Sequence, residues 1–248
     1  MVEKEDLFKN GKRWDGRAPS DLRQPLSITA GVLKRAQGSA MIEWGKNKVL
    51  SAVYGPREVF PKHLADPTKA IINARYIMAP FSGLDDHGRS GPNRRSIEIS
   101  KVAKHVFENA ILVEQFPKTM IDVHMEVLQS DGGTRVSAIT AASVALADAG
   151  IPMRDLPVGM SAGKVGDAML LDLDKYEDNL GDSDIPTVIL PRTGEILLSQ
   201  MDGMLSKKDI DDAFELMFQN AKFVREKQLQ ALRDRYEKVQ AQVQGENA

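Results

Sequence analysis

The sequence predicts an α+β fold made of two similar βα halves. Three features carry this expectation: a block of short alternating strands, two segments of helical period that each follow strands, and a long amphipathic segment near the end. At 248 residues the chain can bury roughly 70–75% of its unfolded surface, so its core needs no disulfide or metal staple. The expected organisation is a polar leader over 1–20, a domain over 21–225 with halves of about 21–118 and 119–225, and a helix end with polar tail over 226–248. No tandem sequence repeat accompanies the repeated pattern.

Residues 26–55 are rich in β-branched and apolar side chains and are broken by turn residues at Ala36 to Gly38 and Gly45 to Asn47, which predicts a three-strand meander. A proline-rich loop follows, then a strand in AIINARYIMAPF and a polar, glycine-rich loop over 82–93. From Arg94 the period changes. Ile99, Val102, Ala103, Val106, Phe107, Ala110 and Val113 recur at helical spacing. TMIDVHMEVLQS then alternates as a strand, and DGGTR opens a second helix that stops at Gly150, with Pro152 just beyond. Further strands are expected in VGMSAGKVG, DAMLLDLD, TVILP and EILLSQMDG. Ser206 and Asp209 read as a capping-box-like start to the closing helix, whose stripe is Ile210, Phe214, Met217, Ala221 and Val224. That stripe weakens past Gln228, which predicts a solvated or partner-bound end.

Composition excludes several chemistries. With no cysteine there is no thiol nucleophile, Cys-ligated metal site or disulfide framework. The N-terminus is charged throughout and no apolar run approaches the ~20 residues that span a bilayer, so a cytoplasmic protein without a membrane partner is expected. A P-loop is missing, because the nearest approach, Gly159 to Val165, is one residue short and ends in valine; G-x-G-x-x-G and H-E-x-x-H are missing too. The 33 basic and 35 acidic residues leave a net charge of −2, so any polyanion must meet a local patch. Arg89, Arg94, Arg95, Lys101 and Lys104 make one such patch, against the single acid Glu98. Six acids crowd 172–184, yet Tyr176 in the fifth position from Asp172 rules out a calcium loop there.

Three elements fit one kind of reaction. Gly132, Gly133, Thr134 and Arg135 stand where a strand hands over to a helix, and a helix start with close glycines, a hydroxyl and a guanidinium forms an anion site. A flexible turn with an N-cap threonine is the other reading of this segment. Arg94 and Arg95 begin the first helix; about 100° apart, they could hold successive phosphates of a strand from a frayed helix start. Asp178 and Asp184 lie six apart in a glycine-broken loop, where they could converge on a divalent metal ion, or one could act as a general acid. Together these are the equipment for attacking a phosphodiester.

The blocks GKRWDGR, GVLKRAQGSAMIEWGKNKVLSAVYGPRE, NRRSIEISK, LQSDGGTRVSAITAASVALADAGIPMRDL and LDLDKYEDNLGDSDIP resemble the RNase PH family, most of all the catalytically active ring subunits of archaeal exosomes. The resemblance spans about residues 11 to 225. It implies an RNase PH-like fold and 3′-to-5′ phosphorolytic exonuclease activity, with inorganic phosphate as co-substrate and nucleoside diphosphates released from single-stranded RNA. Reverse tailing follows from microscopic reversibility. It also implies Mg²⁺ or Mn²⁺, a hexameric ring in which this subunit alternates with a related inactive one as a trimer of heterodimers, and RNA-binding cap proteins. Carried over by position, Gly132, Gly133, Thr134 and Arg135 would bind phosphate, Arg94, Arg95 and Lys62 would bind RNA, and Asp178 and Asp184 would be the metal-binding or general-acid carboxylates. A bacterial-type enzyme trimming tRNA 3′ ends and an inactive RNA-binding ring subunit are the alternatives. The second should lack both the acidic pair and the Arg-Arg element, which this chain keeps.

Overall fold

The computed structural model describes residues 3–9, 11–83 and 92–246. A short hairpin, β1 (Phe8–Lys9) and β2 (Lys12–Arg13), precedes the first large sheet. The expected meander is present as β3 (Leu26–Ala30), β4 (Gly38–Trp44) and β5 (Asn47–Glu58). With β6 (Ile71–Met78) and β7 (Thr119–Gln129) they form a sheet of order β3-β4-β5-β7-β6, antiparallel except for the β6–β7 pair. Between β6 and β7 runs α1 (Arg94–Ala110), which buries Ile99, Ala103, Val106, Phe107 and Ala110 and packs on β6. The second sheet has the order β11-β10-β8-β9, built from β8 (Val158–Val165), β9 (Ala168–Leu171), β10 (Ser183–Leu190) and β11 (Glu195–Ser199), with β12 (Asp202–Gly203) also on β10. Sheet membership changes after α2 (Thr134–Asp148), not near residue 118: β7 is hydrogen-bonded inside the first sheet.

The helix α2 sits between the two sheets, touching β4, β5 and β7 of one and β8 and β10 of the other. Every residue from Val136 through Leu146 is buried, so the helix has no solvent face. Small residues make this possible. A Cβ on Gly38 of β4 would strike the Ala145 carbonyl and the Ala149 nitrogen, and one on Gly159 of β8 would strike the Val136 carbonyl, so both sheets touch the main chain of one helix. The hydroxyls inside it are used. Thr140 Oγ1 donates to the Val136 carbonyl at 2.8 Å and accepts from the Gly159 N–H at 2.9 Å.

The closing helix α4 (Lys207–Glu246) starts as expected, with Ser206 Oγ accepting from the Asp209 N–H at 3.2 Å. Gln228, where the apolar stripe weakens, is fully buried: its amide donates to Ser143 Oγ at 2.7 Å and to the Pro157 carbonyl at 3.1 Å. Packing continues to Ala231, and beyond it Tyr236, Val239 and Val243 are exposed. Much of the polar N-terminal segment is folded too. Leu7 is buried with Val165, Leu170 and Leu173 in a small second core, and Arg13 is 2% exposed.

Gly159→Ala should cost about 1–3 kcal/mol, because the added methyl meets helix backbone that has no room to shift. Chemical unfolding measures this; a variant as stable as the parent would show that the helix does not limit how close the second sheet comes.

Candidate active site

The start of α2 opens into a pocket of about 390 Å³ whose wall includes Arg95 and Glu98 of α1, Gly133, Thr134 and Arg135, Ser161, Asp178, Asp184, Gln200 and Asp202. The anion cradle comes from backbone geometry. Gly132 and Gly133 have φ of +74° and +59°, and a Cβ on Gly132 would lie 2.5 Å from the Asp174 carbonyl carbon, so only glycine fits this turn. Gly133, not Thr134, is the N-cap, and no side chain caps the first turn, which leaves its N–H groups for a ligand. Thr134 is instead the first helical residue. Its Oγ1 accepts from the Tyr76 hydroxyl at 2.8 Å and from Arg95 Nη2 at 3.5 Å.

The arginines divide. Asn93 and Ser96 close a capping box at the start of α1, so this end is well capped and not frayed as the sequence suggested. Arg95 lines the pocket, whereas Arg94 is exposed and forms no part of its wall. Arg135 Nη1 donates to Gln200 Oε1 and stands 3.8 Å from Glu98, and Gln200 Nε2 donates to Glu98 at 3.1 Å. Lys62 lies outside the pocket wall, on an exposed turn, paired with Glu58 at 2.7 Å. Arg89 and most of the 82–93 loop lie outside the described residues.

Asp178 and Asp184 are brought together, but not by a loop. Asp178 is on a short helix, α3 (Lys175–Leu180), and Asp184 is on β10. The helix was legible as Asp174-x-x-Glu177: Asp174 caps the Tyr176 and Glu177 N–H groups, and Glu177 accepts from the Asp174 N–H at 3.0 Å. The two carboxyls lie within hydrogen-bonding reach of each other. Burial, then the charge of Asp178, pushes the Asp184 pKa up to about 6. Burial raises Asp178 as well, opposed first by Arg95. Asp202, paired across the ladder with Asp184, adds to the repulsion. Two carboxyls that repel each other when ionised fit a hard divalent cation, which would relieve that repulsion. Among the described residues no set of three or more His, Cys, Asp or Glu side chains suits a metal, so water and substrate would complete the sphere.

Buried ion pairs hold these parts in register. Arg23 pairs with Asp172 at 2.7 Å and also donates to the Asp131 carbonyl, tying the glycine turn to the acidic segment. Asp172 accepts from Trp44 Nε1 at 2.9 Å. Arg13 pairs with Glu177 in full burial and donates to the carbonyls of Leu171 and Asp172. The crowd of acids is thereby explained: Asp172 and Glu177 anchor arginines, Asp174 caps, Asp182 meets Lys4, and Asp178 and Asp184 face the pocket. Tyr76, Arg23, Arg13 and Gln200 were not singled out from sequence. Only Arg13 stands within a block that carries the family resemblance, GKRWDGR, and only the fold brings them to the site.

An open helix start, two guanidiniums and a pair of neighbouring carboxyls around one cavity are groups that phosphate-ester chemistry can use. Residues 23–152 match the 3′ exoribonuclease family, domain 1, and residues 155–220 its domain 2, so the chain belongs to this family, that of RNase PH, and is a 3′-to-5′ exoribonuclease. The domain boundary falls between α2 and β8, where sheet membership changes. The exosome complex component Rrp41 of Pyrococcus furiosus is 54% identical over 239 residues, 96% of this chain and 95% of that one. Its counterpart in Thermoplasma acidophilum is 52% identical over 240 residues, 97% and 96% of the two chains. Among solved structures, rice Rrp46 superposes with a TM-score of 0.78 at 28% identity, covering 89% of this chain and all of that one. The Archaeoglobus fulgidus exosome with RNA bound to the active site shares the fold, with a TM-score of 0.77 at 24% identity over 90% and 95% of the chains. No helix among the described residues is long and apolar enough to cross a membrane.

Carboxyl-resolved NMR of the metal-free protein should show one Asp titrating near pH 6, and Asp178→Asn should lower that midpoint by removing the neighbouring charge. If every site carboxyl titrates near 4, the mutual repulsion is disproved.

Proposed function

We propose that this chain is the phosphorolytic subunit of an archaeal exosome ring, removing nucleotides from the 3′ end of single-stranded RNA with inorganic phosphate as the attacking group. The observation that carries this reading is the uncapped start of α2: a cradle for a free oxyanion opens onto the same cavity as the carboxylate pair. In the reaction a phosphate oxygen bonds to the terminal phosphodiester phosphorus, the bond to the preceding O3′ breaks, and that oxygen takes a proton. The products are a nucleoside diphosphate and an RNA one residue shorter. The first-turn N–H groups after Gly132 and Gly133, with Thr134 and Arg135, hold the phosphate; to do so Arg135 exchanges its Gln200 and Glu98 contacts for the ligand. Arg95 reaches the same cavity and meets the scissile phosphate, while Arg94 and Lys62, both solvent-exposed, contact RNA farther along the strand.

Asp178 and Asp184 hold Mg²⁺ or Mn²⁺, which supplies charge neutralisation at the phosphate oxygens when bound. The mutual repulsion of the pair supports the cation-binding role over a lone general acid, because a divalent cation would offset the charge of two neighbouring ionised carboxylates. The ring alternates this subunit with a related inactive one, carries RNA-binding caps on one face and works in the cytoplasm. Relatives at 52–54% identity over nearly the whole chain are named exosome components, which supports the exosome over a tRNA-trimming enzyme.

Product identity tests the reading. The assembled ring should shorten RNA only with phosphate and Mg²⁺ present and release nucleoside diphosphates; monophosphates formed without phosphate would mean hydrolysis. Asp178→Ala should lower turnover by on the order of 10²-fold or more while RNA binding persists. Equal loss of both would assign Asp178 a structural role. At limiting Mg²⁺ the concentration needed for half-maximal rate should rise about tenfold per pH unit below about 6, where protons compete for Asp184. A rate that instead falls as pH rises through 6 would identify Asp184 as the general acid.

A further inference from the structure

We infer that Tyr76 is a positioning residue that turns the Thr134 hydroxyl into a dedicated donor toward the attacking phosphate. This rests on the phosphorolytic reading above. Tyr76 stands on β6, 1% exposed, with its backbone N–H donating to Ser100 Oγ of α1 at 2.9 Å, so the ring is fixed between the sheet and the first helix. Its hydroxyl lies 2.8 Å from Thr134 Oγ1, the one acceptor it meets among the described residues, because Arg95, also within its reach, can only donate. That fixes the direction of the bond. Were Thr134 the donor, the buried phenol proton would face no acceptor; with Tyr76 as donor, both groups are satisfied. Burial raises the phenol pKa, so the proton is present throughout the working range.

A threonine hydroxyl has two lone pairs and one proton. Tyr76 takes one lone pair, and Arg95 Nη2, at 3.5 Å, approaches the other. What remains is the proton. No acceptor for it exists among the described residues, and Thr134 lines the cavity, so the proton is aimed at whatever occupies the cradle. An oxygen restricted in this way suits a ligand that offers only acceptors on that side, such as the ionised oxygens of inorganic phosphate. A freely rotating hydroxyl would have to lose that freedom on binding.

The experiment measures kcat and the KM values for phosphate and for RNA in the assembled ring, for the wild type, Tyr76→Phe, Thr134→Val and the double variant. Tyr76→Phe should raise the phosphate KM roughly tenfold, with the RNA KM within about twofold. In the Thr134→Val background the same change should move the phosphate KM by less than about twofold, because the route through the Thr134 hydroxyl is gone. Three results overturn the inference: an unchanged phosphate KM in Tyr76→Phe, independent effects in the double variant, or equal losses for phosphate and RNA. Should Tyr76→Phe fail to fold, Thr134→Val alone decides, since a phosphate KM it leaves unmoved also overturns the inference. A wild-type ring that needs no phosphate overturns the inference and the reading beneath it together, whereas a phosphate-dependent ring indifferent to Tyr76→Phe overturns the inference alone.

Discussion

A helix with no solvent face constrains everything around it. Because α2 is enclosed by both sheets, its side chains must be small or apolar, its hydroxyls must bond locally, and its unpaired N-terminal N–H groups must emerge somewhere useful. They emerge at Gly133, and the pocket forms there. The site is thus the exit of a buried dipole. Gly38 and Gly159 set the spacing by letting backbone meet backbone near the two ends of the helix.

The second organising device is a pair of buried ion pairs that run from the N-terminal segment to the acidic stretch. Isolated buried charges are costly, and both pairs offset that cost with extra backbone bonds: Arg13 to the carbonyls of Leu171 and Asp172, Arg23 to that of Asp131. The result is positional. The glycine turn and α3 touch at Gly132 and Asp174, so a shift in either would carry the other with it. Asp178 is therefore placed by residues more than 150 positions earlier in the chain.

Much of this was legible in the sequence because periodicity reports burial. The meander, α1, the DGG turn into α2 and the Ser206–Asp209 start of α4 all appear where the pattern put them. The acidic stretch resembles a loop in sequence because glycine and charge dominate it, and six residues are too few for helical period to register; the Asp174–Glu177 capping box is the signal it carries. The halves divided late because β7 follows a helix in sequence yet pairs within the first sheet, and pairing is a long-range choice that local pattern does not encode. Arg94 and Arg95 read as a unit, but a capped helix start points them apart and only Arg95 enters the cavity. Tyr76 and Gln200 were illegible for a simpler reason: a lone tyrosine in a strand and a lone glutamine after one carry no motif.

The placement of Asp184 on β10 bears on the order of the site along the chain. The first sheet, α1 and α2 all precede β10 in the chain. The anion cradle therefore precedes Asp184, and Arg13 and Arg23 precede their carboxylates. Both carboxylates of the pair thus come later in the chain than the helix start they face, and the pocket is completed from its C-terminal side.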